Sequence, residues 1–498
     1  MDSEANPPTY ARASWLFRRL LGIAYLFAFW SLATQIIGLA GHDGILPAAD
    51  YMASAREFVA RNGIGLDRFR VLPTLCWIST SDEFLKGLTA GGAVIAGLLI
   101  AGIAPAVVLP LLWIAYLSLS VIGQDFLGFQ WDALLLESGF LAIFIAPFRL
   151  RDRLRDAADP PPLMRWLFWI LTFKLMVSSG VIKLASGDPT WRDLTAVSFH
   201  YETQPIPTPV AWYASQLPLW FHKVTTAMVI GLEILAPFLI VARRTGRLAA
   251  FVLLAALQVL IAVTGNYAFF NLLAIALLVF LLDDRRLSLS KRDPSTAMPV
   301  PDTSRLLTVA AALVAIVTLP VSALQFARSF GVDFRAVPIV GDTARFIAPF
   351  RSVNSYGLFA VMTTTRPEII VEGSDDGTNW RAYEFRYKAG DVNRRPPWVA
   401  PFQPRLDWQM WFAALGTFNE ERWFQDFCDR LLEGSPDVLG LIARDPFSGS
   451  PPRYLRARLY EYRFSERSTR QRSGAWWTAE LLGDYAPILS RDGSRPGL

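Results

Sequence analysis

Cysteine and histidine are scarce in this chain: Cys76 and Cys428 are its cysteines, and His42, His200 and His222 its histidines. Residues so few and scattered exclude a disulfide-stapled scaffold and a zinc signature. Charge is sparse too, at 18% of 498 residues against about 25% in soluble domains. That excludes disorder and an ordinary soluble enzyme of this length. No Walker loop, dinucleotide fingerprint or nucleophile elbow stands out. Asp375-Asp376-Gly377 lacks the rest of a calcium loop, so turn chemistry is expected there. Basic residues form no aromatic-interleaved stripe, so the net charge of +5 is not read as nucleic-acid binding. No metal or cofactor is expected.

What the chain has is apolar length: 53% of it is hydrophobic, with a mean hydropathy of +0.31. The apolar runs lie before about residue 326, and the last third has soluble-like composition. A spanning helix needs about 20 mostly apolar residues. Nine segments qualify: 15–40, 85–103, 105–123, 131–147, 163–184, 222–242, 248–264, 266–282 and 304–326. The fourth is short and polar at its start, and Gly265-Asn266 makes a tight turn before the eighth. The first is expected to be a retained helix, because no small-residue cleavage site follows it.

Loop charge orients the bundle. The clusters Arg149/Arg151/Arg153/Arg155, Arg243/Arg244/Arg247 and Arg285/Arg286/Lys291/Arg292 all fall on the cytoplasmic side if nine helices start inside. Arg18 and Arg19 agree with them. Residues 1–326 then form a multi-pass α-helical membrane domain, and 327–498 an extracytoplasmic domain. The tail reads as β-rich and β-sandwich-like: Glu368–Tyr387 carries a hairpin signal, and Arg453–Phe464 alternates like a half-buried strand. Leu406–Leu432 and Asp437–Ala443 form a helical insert.

Ionisable residues inside spans are the sharpest functional signals, each costing about 2.5–3.5 kcal/mol on insertion scales unless paired or solvated. Lys174 and Glu233 lie near the middle of antiparallel spans and are expected to form a buried ion pair, either structural or part of a proton or ion path. A second group gathers at the outer face. Gln124, Asp125, Gln130, Trp131, Asp132 and Glu137 surround the fourth span, Lys183, Asp188 and Trp191 close the fifth, and His200, Tyr201 and Glu202 follow. Two readings stand for this group: a binding cavity with mutually shifted pKa values, or an aromatic belt with snorkelling charges. Cys76 and Cys428 both face outside, where they either pair or stay as buried thiols.

Long strings also resemble a known family. Gly123-Gln-Asp-Phe-Leu-Gly-Phe-Gln-Trp-Asp-Ala-Leu-Leu-Leu-Glu-Ser-Gly-Phe-Leu141, Met176-Val-Ser-Ser-Gly-Val-Ile-Lys-Leu184, Gly187-Asp-Pro-Thr-Trp-Arg-Asp193 and His200-Tyr-Glu-Thr-Gln-Pro205 are similar to segments of the lipase maturation factor family. So are Asn354-Ser-Tyr-Gly-Leu-Phe359, Thr364-Thr-Arg-Pro-Glu368, Glu384-Phe-Arg-Tyr387, Arg394-Arg-Pro-Pro-Trp398 and Pro401-Phe-Gln-Pro-Arg-Leu-Asp-Trp-Gln-Met-Trp411. The resemblance implies a multi-pass protein whose animal relatives sit in the endoplasmic reticulum membrane and help dimeric lipases reach their active fold. It therefore implies an exported, lipase-like client beside the membrane lipids. An Arg-, Ala- and Pro-rich style points to a bacterial member, with the tail in the periplasm. A shorter likeness, Ser179-Gly-Val-Ile-Lys-Leu184 followed by Trp191, is similar to a stretch of vitamin K-dependent carboxylases. It implies the alternative of a membrane enzyme with Lys183 as base, acting on a lipid- or quinone-like substrate.

Overall fold

A computed structural model describes residues 8–287, 303–328, 330–331, 338–447 and 450–491. The longer helices are α1 (Ala11–Ala33), α2 (Ala48–Arg61), α3 (Asp82–Ala101), α4 (Pro105–Ile122), α5 (Gln130–Ile143), α6 (Pro162–Ala185), α7 (Ala196–Thr203), α8 (Leu219–Leu235), α9 (Arg244–Thr264), α10 (Phe270–Leu278) and α11 (Thr303–Arg328). Local signals set several ends. Ser81 caps α3 by accepting from the Phe84 amide, and the α3–α4 corner turns through Gly102 at φ 75° before Pro105 opens α4.

Among the described residues, seven helices are long and apolar enough to cross a membrane: α1, α3, α4, α6, α8 extended to Val241, α9, and Thr308–Arg328 of α11. The sequence reading expected nine. The other two segments are helical but short: α5 has 14 residues, and the second is the apolar stretch Phe270–Leu281. Both are largely buried inside the protein. A hydropathy window cannot tell such a core helix from a span, because lipid and protein interior reward the same side chains.

The expected cationic clusters share one end of the bundle. Arg18 and Arg19 meet Asp152 at 2.9 and 3.1 Å, and Arg244 meets Asp283 at 3.1 Å. Lys291 and Arg292 lie outside the described residues.

Beyond α12 (Pro338–Ile347) the chain forms one antiparallel sheet, not the expected sandwich, among the described residues. Its strands are β1 (Pro367–Ser374), β2 (Arg381–Ala382), β3 (Tyr454–Phe464) and β4 (Trp477–Ser490), in the order β2-β1-β3-β4. The expected hairpin is present: β1 pairs with β2, and the Asp376 carboxylate closes the turn by accepting from the Thr378 and Asn379 amides, each at 2.8 Å. The helices α13 (Arg405–Leu415) and α14 (Arg422–Glu433) pack against β1 and β3. Alternation marked β3 as half-buried, but it could not say whether a second sheet or helices would cover it.

The helical and sheet-bearing parts share a continuous core. Asn266, from the turn expected between α9 and α10, accepts from the Val399 and Ala400 amides at 2.8 and 2.9 Å and donates to Pro397 O at 2.9 Å.

Candidate functional site

Helix α6 carries Lys174 and Lys183 nine positions apart, which at about 3.6 residues per turn puts them on opposite faces. Each finds its own carboxylate. Lys174 Nζ lies 2.6 Å from Glu137 Oε1 on α5, and Lys183 Nζ lies 2.9 and 2.7 Å from the two oxygens of Glu233 on α8. The expected Lys174–Glu233 pair is therefore replaced by two others. The cause is helix register: α6 and α8 touch at Gly180, where a β-carbon would lie 2.6 Å from Ile234 Cγ1 and 3.0 Å from Glu233 Cβ. Close approach there puts Glu233 beside Lys183 and leaves Lys174 facing α5.

Most of the outer-face residues are spent on joining the two parts of the chain. Asp132 receives Arg405 in a fork, Oδ1 from Nη2 at 2.8 Å and Oδ2 from Nη1 at 2.9 Å, and also accepts from the Tyr116 hydroxyl. Glu137 Oε2 accepts from the Asn354 amide and the Tyr356 hydroxyl, both at 2.8 Å. Gln130 Oε1 accepts from Gly357 N at 3.1 Å. Trp131 stacks on Phe129 at 4.6 Å and meets Trp408 edge-on at 4.7 Å.

Asp188 accepts from Thr190 N and Met362 N. Burial alone would raise its pKa, but these amide bonds outweigh it and hold the carboxyl below its usual value. Glu202 accepts from Phe464 N at 2.7 Å, yet burial raises its pKa against that bond and the charges of Arg366 and Arg463. Tyr201 is buried, which raises its pKa. Gln124 donates weakly to Leu46 O at 3.4 Å, and partial burial lifts Asp125.

Three of the outer-face residues, Lys183, Trp191 and His200, line one pocket with a cavity volume of about 110 Å³. Its walls come from α6 (Leu175, Met176), α8 (Val229, Glu233), α9 (Gln258, Ile261) and the segment Leu358–Met362. Trp191 lies under the Lys183 ammonium at 5.4 Å and donates to Phe359 O at 3.1 Å. His200 Nε2 meets the Tyr267 hydroxyl at 2.9 Å, and that hydroxyl reaches Gln204 Oε1 at 2.9 Å. Burial, and secondarily the Lys183 charge, push the His200 pKa down to about 4, so the ring is neutral at pH 7. The Lys183 ammonium is engaged by Glu233 and by Ser179 O at 3.1 Å.

Sequence reasoning missed Tyr267 and Gln258 in this pocket, and Arg405 and Tyr116 beside Asp132. Arg405 stood inside the quoted Pro401–Trp411 string, so its signal was available, but nothing local tied it to Asp132. Cys76 and Cys428 are buried and unpaired. Among the described residues, no cluster of three or more His, Cys, Asp or Glu has metal-holding geometry.

Comparison with known proteins follows the same two parts. Residues 12–289 match the lipase maturation factor transmembrane domain, and 352–487 the lipase maturation factor C-terminal domain. Lipase maturation factor 2 of Mus musculus is 37% identical across 95% of this chain and 82% of its own length. Its counterpart from Gallus gallus is 37% identical across 97% and 82%. Lipase maturation factor 1 of Bos taurus is 34% identical across 97% of the chain and 90% of its own length. No solved structure matches.

Proposed function

Because the chain belongs to the lipase maturation factor family, we propose that it is a membrane-anchored maturation factor that helps an exported, lipase-like client reach its active fold. The observation that carries this reading is the extent of the likeness: relatives named for lipase maturation align with 95–97% of the chain, through both its helical and its sheet-bearing parts. A lipase maturation role for a multi-pass membrane protein follows from the family. The client, and folding assistance as the mechanism, are our extension.

The chain acts from the bacterial inner membrane, with residues 1–326 in the bilayer and 327–498 in the periplasm. Support comes from Arg18, Arg19 and the arginines around Asp152 and Asp283 gathering at one end of the bundle, the pattern expected of a cytoplasmic face. The opposite face is then the client-facing one.

Deletion of the gene, with exported lipases followed by mass and by activity, tests the proposal. At least one lipase should keep its secreted amount while its activity per molecule falls several-fold, and the reintroduced gene should restore it. Unchanged specific activity of every exported lipase would overturn it.

A further inference from the structure

The pocket beside Lys183 has a polar lining whose hydrogen-bonding capacity can be counted. The Gln204 amide nitrogen donates to Tyr201 O at 3.2 Å and Thr264 O at 3.0 Å, so Gln204 Oε1 faces Tyr267 as an acceptor. The single Tyr267 hydroxyl proton therefore goes to Gln204, and the hydroxyl accepts from His200 Nε2–H. A neutral imidazole protonated at Nε2 has a bare Nδ1, and His200 Nδ1 is buried without a partner. Lys183 spends its three protons on Ser179 O and the two Glu233 oxygens, and Ser179 donates to Leu175 O at 2.8 Å.

What stays open is mainly acceptor capacity, on Glu233 and His200. The weakly held donor is Gln258 Nε2, which donates to the Met176 sulfur at 3.8 Å. Charge cancels here as well. Lys183 and Glu233 neutralise each other, His200 is neutral, and the covering segment Leu358–Met362 contains no charged residue. The remaining walls are apolar or aromatic, and Leu175, Met176, Val229 and Ile261 among them belong to candidate spans.

We propose that this pocket binds one uncharged membrane amphiphile whose head carries a hydroxyl group, with the hydroxyl at the Glu233–His200 end and the chain along Leu175, Val229 and Ile261. A hydroxyl both donates and accepts, so its one proton serves Glu233 or His200 while its oxygen accepts from Gln258. A quinone offers acceptors alone and leaves the pocket's own acceptors unmet. A fatty-acid carboxylate brings a second negative charge to Glu233, whose cation is already committed. The inference narrows the lipid- or quinone-like occupant expected from sequence, but it requires neither a client nor a reaction, so it can fail or hold independently of the maturation role.

The test uses the full-length protein in detergent, with 1-monooleoylglycerol, oleate and decyl-benzoquinone as probes. Monooleoylglycerol should raise the thermal midpoint by several degrees and appear by native mass spectrometry as one molecule per chain. Oleate and the quinone should each give less than half that rise. Val229→Trp, on α8, and Leu358→Trp, on the covering segment, each put a large side chain into the pocket lining, and either variant, once shown to be folded, should lose the response. Equal rises with all three probes, or a full response in a folded filled variant, would overturn the proposal. Two variants keep the test decisive if one does not fold.

Discussion

Arg405 and Asp132 are 273 residues apart in sequence, yet they meet as a two-pronged ion pair in which both side chains are wholly buried. The arginine also donates to Phe126 O at 2.6 Å, and the aspartate also accepts from Tyr116. The start of α5 is thereby fastened to the start of α13. Removing either partner strands a charge in a dry interior, which costs far more than the intact pair contributes.

Asp132→Leu and Arg405→Met should each destabilise the protein by about 3–5 kcal/mol. The double variant Asp132→Leu/Arg405→Met should recover much of that loss, since no charge is then left unpaired. Thermal midpoints of the four proteins in one detergent give the coupling directly. Additive losses would show that the two residues act separately.

Helix packing at Gly180 gives a second expectation. Gly180→Ala places a methyl group against Ile234 and Glu233, and overpacking of this kind costs about 1–3 kcal/mol. Gly97→Ala is the control, because a β-carbon at Gly97 meets nothing within 4 Å and alanine favours a helix by about 1 kcal/mol. The first substitution should lower the thermal midpoint and the second hold or raise it. The same order should appear in a protease-resistance assay.

Acid should weaken the protein through His200. Its folded-state pKa is pushed down to about 4, while an unfolded histidine titrates near 6.5. Below pH 6.5 the unfolded chain therefore binds a proton that the folded one refuses. Stability falls as pH drops from about 6.5 to about 4, by at most about 3 kcal/mol. His200→Gln should flatten that part of the stability curve relative to the unsubstituted protein. Identical slopes in the two proteins would remove His200 as the cause.

The two cysteines should behave as buried thiols. Burial raises the pKa of both Cys76 and Cys428, which suppresses the reactive thiolate. A maleimide reagent should label neither in the native protein and both after denaturation, with no change in gel mobility on reduction. A single labelled site, or a mobility shift, would contradict this.

Much of the framework is visible along the chain. Seven of the nine apolar segments form helices of spanning length, the Asp-Asp-Gly turn joins its strands, and the arginine clusters converge. Hydropathy, turn chemistry and strand alternation are properties of neighbouring residues, so a local reading recovers them. The same reading picked out Asp132, Glu137, Lys174, Lys183 and Glu233 as residues an apolar interior has to accommodate.

Partnership was decided elsewhere. Which carboxylate meets which lysine depends on where α6 slides against α8, and Gly180 sets that contact. Whether Asp132 lines a cavity or clamps a distant helix depends on Arg405 arriving from the other part of the chain. The cost of burying a charge is written locally, in the side chain and its apolar surroundings. What offsets it is a contact at about 3 Å, and only the folded arrangement of helices brings the two groups that close.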